Sequence, residues 1–427
     1  MKKLLIITYY WPPSGGGGVQ RWLKFAKYLR DYGWEPIIYT PKNPDFELKD
    51  DSLLDDIPAG ITVLKNSIWE PFAAYRMLLG KKAVQKQGVV ANTKGSLFGR
   101  LSIWIRGNYF IPDSRVFWVR PSVNYLTKYL KTNKVDALVT TGPPHSLHLV
   151  GLELKKRLDI KWLADFRDPW SEWDVLDQLY LSKRSRSTHQ KLEHSVLTAA
   201  DLILVTSPST KLSLAKLGAK NIEVITNGYD FEANDFHDLV PKKFKISHLG
   251  LLNRGRNPKV LWKVLNEMAD ENAEFSDDLE IYLSGTIDDE VIASIKSWQK
   301  LGDCYKNVGY LTHDQVIQAY NESAILLLLV NNTTNAAQIL PGKIFEYLAQ
   351  NKPILALGKT KSDTSELLKE VGFNQCIEYD AEASIKSYVL DAYNDYKEGN
   401  VRQASDNIGK YHRRELTKSL AACLEQL

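Results

Sequence analysis

The stretch Asn331–Leu357, NNTTNAAQILPGKIFEYLAQNKPILAL, directly follows the apolar run Ala324–Val330, and its reading governs that of the whole chain. The run is short and bounded by polar residues, which suits a buried parallel strand and is too short for a bilayer span. An Asn- and Thr-rich loop leads to Pro341-Gly342, which opens a helix with Ile344, Phe345 and Leu348 on a core face. Lys352-Pro353 ends that helix, and Ile354–Leu357 reads as the next strand. In an open parallel sheet, a ligand is expected at the carboxyl end of the first strand of such a unit. There the free amides of a helix start favour an anion. Glu346 stands about one turn inside the helix. It is either a solvated helix residue or a carboxylate that accepts hydrogen bonds from a ribose diol while the loop holds a diphosphate.

The 427 residues suffice for two domains, each with its own core. Hydrophobic residues make up 44% and charged residues 25% of the chain, the proportions of an ordinary globular protein. Cys304, Cys376 and Cys423 are scattered without metal-ligand spacing, which fits a reduced, cytosolic setting. The apolar run Leu4–Ile7 is too short for a signal peptide, and Tyr9–Pro13 stands where a small-residue cleavage site would be.

Leu4–Thr8 reads as a first buried strand, followed by a turn ending in Gly15–Gly18 and an amphipathic helix from Val19 to Tyr32. The glycines bring backbone amides close to a ligand or form a flexible surface turn. Their spacing matches neither the dinucleotide fingerprint nor a Walker loop. Further strands fall at Glu35–Tyr39, Ile61–Leu64, Ala137–Thr140, Trp162–Asp165, Leu202–Thr206 and Val224–Thr226. His145 follows one of these strands on the turn Thr141-Gly142-Pro143-Pro144, placed either to reach a ligand or to serve the structure. Asp165, Arg167 and Asp168 form an internal ion-pair cluster or touch an acceptor.

The net charge of +4 is small, but its distribution is uneven. Between Lys81 and Lys134 the basic residues include Lys81, Lys82, Lys86, Lys94, Arg100, Arg106, Arg115 and Arg120, whereas Asp113 is the sole acid. Leu101, Trp104, Ile105, Tyr109, Phe110, Phe117 and Trp118 lie among them. This combination suits shallow insertion at an anionic membrane surface, or a helical core with a solvated face. Nucleic acid is disfavoured because no recognition motif accompanies the charge.

In the second half, Lys245–Leu249 is a strand, and the loop Gly250–Pro258, GLLNRGRNP, precedes a helix. Arg254 and Arg256 make this either a phosphate-binding turn or an exposed basic one. Lys343, in the first turn of the helix after Gly342, points toward a diphosphate or toward water.

Together these segments resemble GT-B glycosyltransferases, in particular retaining family 4. That family carries two glutamates separated by seven residues, then a helix and a short Lys-Pro-hydrophobic strand. Glu346 matches the second glutamate, and Gln338 stands at the first, where it can hydrogen-bond but supplies no charge. The family places an arginine directly after the glycine matching Gly250 and a lysine six residues after it; here those positions hold Leu251 and Arg256. The resemblance further implies that Gly16, Gly17 and Gly18 border the donor phosphates, that His145 lies near the reacting sugar, and that the turn Asn227-Gly228-Tyr229-Asp230 precedes the interdomain linker.

The expected fold is α/β: two doubly wound Rossmann-like domains facing a cleft. The expected bounds are 1–236 for an acceptor-side domain, 237–400 for a nucleotide-sugar domain, and 401–427 for a helix that crosses back to the first. The expected function is a metal-independent, retaining glycosyltransferase with His145, Arg256 and Lys343 as catalytic groups. Gly16, Gly17, Gly18, Gly250, Arg254, Gln338, Gly342 and Glu346 would bind the donor. Its substrates would be a nucleoside diphosphate sugar and a glycan or lipid-linked acceptor of the cell envelope, with no cofactor. It would be cytoplasmic and peripheral on an anionic membrane through Lys81–Lys134. A GT-B epimerase or hydrolase and a silent nucleotide-sugar-binding subunit are the alternatives.

Overall fold

The computed structural model describes residues 1–46, 48–70, 97–172, 174–231, 241–333, 336–400 and 407–427. Lys81, Lys82, Lys86 and Lys94 of the basic region lie outside these, as does the expected boundary at Phe236. The chain separates into two compact units, Met1–Thr226 with Arg413–Leu427, and Asn227–His412.

The first unit holds a seven-stranded sheet of β1 (Lys2–Ile7), β2 (Trp34–Pro41), β3 (Thr62–Asn66), β4 (Ala137–Gly142), β5 (Trp162–Phe166), β6 (Leu202–Val205) and β7 (Ile222–Val224). Their order is β3-β2-β1-β4-β5-β6-β7, and every pairing is parallel. A parallel sheet must be covered on both faces, so its strands are apolar throughout. Alternate residues accordingly enter different cores. Leu5 and Ile7 join Leu138, Trp162 and Phe166, whereas Leu4 and Ile6 join Val139, Leu163 and Leu204. Helix Gly17–Tyr28 covers the second of these faces with Val19, Trp22, Leu23 and Ala26. The last helix, Arg413–Glu425, adds Leu416, Leu420 and Leu424 to the same core. Its ion pair Arg414–Asp31 lies on the rim.

The second unit holds a five-stranded parallel sheet of β8 (Phe244–Leu249), β9 (Leu279–Ser284), β10 (Tyr305–Asn307), β11 (Ile325–Leu329) and β12 (Ile354–Leu357), ordered β10-β9-β8-β11-β12. Ile246, Ile281, Leu327 and Leu355 face a core shared with helix Lys259–Glu271. Leu326, Leu328, Ile354 and Ala356 face the opposite core, which Ile344, Phe345 and Leu348 complete. Those three are the apolar positions the sequence assigned to that helix, which runs from Lys343 to Ala349, after Pro341 and Gly342.

Candidate functional site

In the second unit the strand ends β8 and β11 bring a set of cations to one place. Gly250, directly after β8, has φ +149°, a backbone conformation that residues with a side chain rarely adopt. A Cβ built on it would lie 2.5 Å from Lys343 Cε, so the missing side chain is what lets Lys343 lie across the loop. Arg256, in the short 3-10 turn Arg254–Arg256, donates through Nε to Asn331 Oδ1 and through Nη1 to the Leu251 carbonyl at 3.4 Å. Asn331 and Asn332 come from the loop after β11, and the Asn332 amide reaches the Gly255 carbonyl at 3.5 Å, so the two loops are stitched together.

His248 lies beneath this set, buried, with Nδ1 2.9 Å from the Leu327 carbonyl. Burial, and then the charges of Lys343 and Arg256, press its pKa down to about 4, so at neutral pH it adds no charge of its own. Burial also draws the Arg256 guanidinium below its ordinary value, but arginine remains a cation under physiological conditions. Among the described residues no carboxylate pairs with Arg256 or Lys343. Two partly buried cations without an acid partner can receive an anion, since an anion there would recover the Coulomb energy that burial costs them.

Glu346 lies in the first turn of helix Lys343–Ala349. The hydroxyl of buried Tyr320 donates to its Oε2 at 2.8 Å. Burial first, and then the Glu346 charge, hold that phenol well above its usual range, so it stays a donor. Gln338 ends the 3-10 turn Ala336–Gln338, which is fastened by the Thr364 hydroxyl to the Ile339 carbonyl at 2.7 Å. Gly250 and Arg256 thus follow β8 and Gln338, Gly342, Lys343 and Glu346 follow β11 along the chain, with the Gly250–Lys343 approach and the Arg256–Asn331 hydrogen bond joining the two segments. Arg254 differs: it is exposed, and its backbone amide is tied to Asp288 at 3.1 Å.

In the first unit the corresponding strand ends are those of β1 and β4, adjacent strands between which the sheet order reverses. Gly16, with φ +82°, caps the helix that Gly17 and Gly18 begin and, having no side chain, gives its first amides no side-chain hydrogen bond. Arg167 donates to the Gly18 carbonyl at 2.7 Å and to the carbonyls of Gly142 and Pro143. It thereby joins the glycine turn to the turn that carries His145.

His145 is the cap of helix Ser146–Leu158 and is only 4% exposed. Its ring stacks on Trp170 at 5.1 Å and 8°, and Trp170 Nε1 donates to His189 Nδ1 at 3.1 Å. Burial lowers the pKa of His145 well below the ordinary value, with His148 and Arg167 adding to the effect. At neutral pH His145 is therefore a neutral imidazole.

Of the acids near Arg167, Asp165 is structural. It is buried completely and accepts from Arg21, from Trp22 Nε1 at 2.7 Å and from the Thr141 hydroxyl at 2.8 Å. Asp168 is exposed. Sequence reasoning missed Arg21, His248, Tyr320 and Asn331. Arg21 carries the one polar side chain buried on its helix face, between Val19 and Trp22, and that break in the apolar pattern was its signal.

The two doubly wound units, with their unpaired cations beside a strand-end glycine, are those of a GT-B-fold protein. Residues 88–233, nearly all of them before the division at Thr226, match the model described as Glycosyltransferase Family 4. No curated protein sequence matches the chain. Sucrose-phosphate synthase from Thermosynechococcus elongatus superposes with a TM-score of 0.62 at 13% identity, covering 100% of this chain and 98% of that one. TarM of S. aureus gives 0.63 at 10% identity and 99% of both chains. A putative UDP-N-acetylglucosamine 2-epimerase from Listeria monocytogenes gives 0.57 at 12%, covering 99% and 96%. At such identities the likeness establishes the fold.

Proposed function

We propose that the protein is a retaining glycosyltransferase that moves a sugar from a nucleoside diphosphate sugar to a glycan or lipid-linked acceptor in cell-envelope synthesis. The observation that carries this reading is the pair Arg256 and Lys343, unpaired by acids and flanking Gly250, with Glu346 on the adjoining helix. Transfer requires that the departing diphosphate be stabilised as its charge grows. The Arg256 fork and the Lys343 ammonium supply that charge, in the role a metal plays elsewhere, and Glu346 accepts from the ribose. A retaining reaction by front-face attack lets the leaving phosphate take the acceptor's proton, so Gln338 in place of a carboxylate is compatible with it. His145, neutral, hydrogen-bonds the donor sugar or the acceptor hydroxyl. That S. aureus TarM is described with UDP and alpha-GlcNAc-glycerol supports the substrate class.

A panel of nucleotide sugars offered with and without membrane lipid extract tests this. Sugar transferred only with extract, and undiminished by a chelator, is the expected result. Epimer or free sugar formed without extract would instead make the chain an epimerase or hydrolase, a reading the Listeria likeness favours. Binding without turnover would make it a silent subunit. Glu346→Ala is expected to weaken nucleoside diphosphate binding by roughly tenfold to a hundredfold in calorimetry, the scale of a lost charged hydrogen bond. Unchanged affinity would remove Glu346 from the site.

The same proposal places the protein, cytoplasmic, on the inner face of an anionic membrane. Helix Leu97–Tyr109 exposes Leu101, Trp104, Ile105 and Tyr109, and Arg100, Arg106 and Arg120 are exposed nearby. Their spacing puts the apolar side chains on one helix face. Among the described residues no helix is long and apolar enough to cross a membrane. Arg115 does not belong to this surface, because it turns inward to Glu70. Replacing Arg100, Arg106 and Arg120 by Ser is expected to weaken binding to anionic vesicles by roughly a hundredfold at moderate salt, at about 1 kcal/mol per charge. Sedimentation with vesicles reads the change, and equal binding would count against surface docking.

A further inference from the structure

Two short segments of the first unit present an aromatic ring outward and a charge inward. Trp69 is 62% exposed, while the side chain of the next residue, Glu70, is 8% exposed. Phe117 is 46% exposed, while Arg115, two residues before it, turns inward. The rings meet with centroids 5.0 Å apart. The charges meet as well: Arg115 Nε lies 3.2 Å from Glu70, and its guanidinium covers the Tyr9 ring at 4.7 Å. The Tyr9 hydroxyl donates to Glu70 at 2.9 Å. Tyr9 stands in the turn after β1, just before the glycines.

Asp113, on the segment that carries Arg115, reaches the other strand end. It accepts from the Ser146 amide and from the Ser146 hydroxyl, each at 2.8 Å, and Ser146 follows His145. One segment therefore braces the turns after β1 and β4, where the strand order reverses and open sheets bind ligands. The brace is stiff. Burial raises the Glu70 carboxyl and the Arg115 charge opposes that rise, so pulling the two apart leaves a desolvated charge.

We propose that this brace transmits docking of the Trp69–Phe117 ridge on an anionic bilayer to the turns after β1 and β4, so that a lipid surface regulates the His145 turn. The inference rests on the membrane-surface reading above. A surface acts at a distance only by favouring one arrangement of the residues it does not touch. Here those residues are joined to the ridge by one ion pair and by the Asp113–Ser146 hydrogen bonds.

Hydrogen exchange on the full chain, with vesicles of phosphatidylcholine alone or with phosphatidylglycerol added, tests the proposal. Anionic vesicles are expected to slow amide exchange in Tyr9–Gly18 and Thr141–Leu147, by on the order of tenfold, a usual strength for coupled sites. Glu70→Gln is expected to bind the same vesicles but lose the slowing in Tyr9–Gly18, and Asp113→Asn to lose it in Thr141–Leu147. Vesicle binding without slowing overturns the coupling and leaves the membrane reading standing. Absence of binding overturns both. If circular dichroism shows one variant unfolded, the other decides, and slowing retained in a folded variant overturns the proposal.

Discussion

Asp165→Ala is expected to lower the stability of the first unit by about 3–5 kcal/mol, the usual result of removing one partner of a buried ion pair. Arg21 and Asp165 are 1% and 0% exposed, and the carboxylate meets the guanidinium at 3.0 Å. Removing the acid strands a guanidinium in the core, with the Thr226 carbonyl at 2.8 Å as its remaining acceptor. It also strands the indole NH of Trp22 and the hydroxyl of Thr141. Denaturant unfolding followed by tryptophan fluorescence reads the loss, and it should fall in the transition of the first unit alone. The double variant Arg21→Met/Asp165→Leu should recover part of the stability, because it removes the stranded guanidinium while the Trp22 indole and the Thr141 hydroxyl stay unpaired. A loss below 1 kcal/mol for Asp165→Ala would contradict the arrangement described here.

Acid is expected to destabilise the same unit steeply. Burial holds His148 down at about 3 and His189 at about 4, and it lowers His145 well below 6.5 as well. Below pH 6.5 the unfolded chain takes up a proton at each of these positions and the folded chain does not. Stability is therefore full above pH 6.5 and falls as the pH drops toward each folded value. Each histidine contributes about 1.4 kcal/mol per pH unit, so the three together give about 4. Chemical denaturation between pH 7 and 5 measures this slope. His189→Gln should reduce the slope by about a third, since it removes one titrating group; an unchanged slope would mean that His189 is not the buried neutral ring seen beside Trp170.

What the sequence allowed to be read follows its periodicity. The runs Leu4–Ile7 and Ala324–Val330 are apolar at every position, and they became β1 and β11, covered on both faces. The helix after Gly342 was legible from Ile344, Phe345 and Leu348. The turn Gly250–Arg256 was legible as basic, but the division of labour within it was not. Whether Arg254 or Arg256 turns inward depends on Asn331, a residue of another loop that only the fold brings near. Distance along the chain hid Arg21 and Asp165 in the same way, as a polar residue on a helix and an acid on a strand until the sheet joined them. The basic region shows the limit of reading charge by count. Arg115 was one more cation in a run, yet its stem and ring contacts place it with Glu70 and Tyr9.

The last helix enters the core of the first unit through Leu416, Leu420 and Leu424, although the whole of Asn227–His412 separates it from that unit's other segments. A growing chain leaving the ribosome can therefore close the second unit while the first still lacks part of one wall. Until helix Arg413–Glu425 emerges, the part of helix Gly17–Tyr28 that packs on it stays open to water. Loss of that helix would injure the half of the protein that is made first.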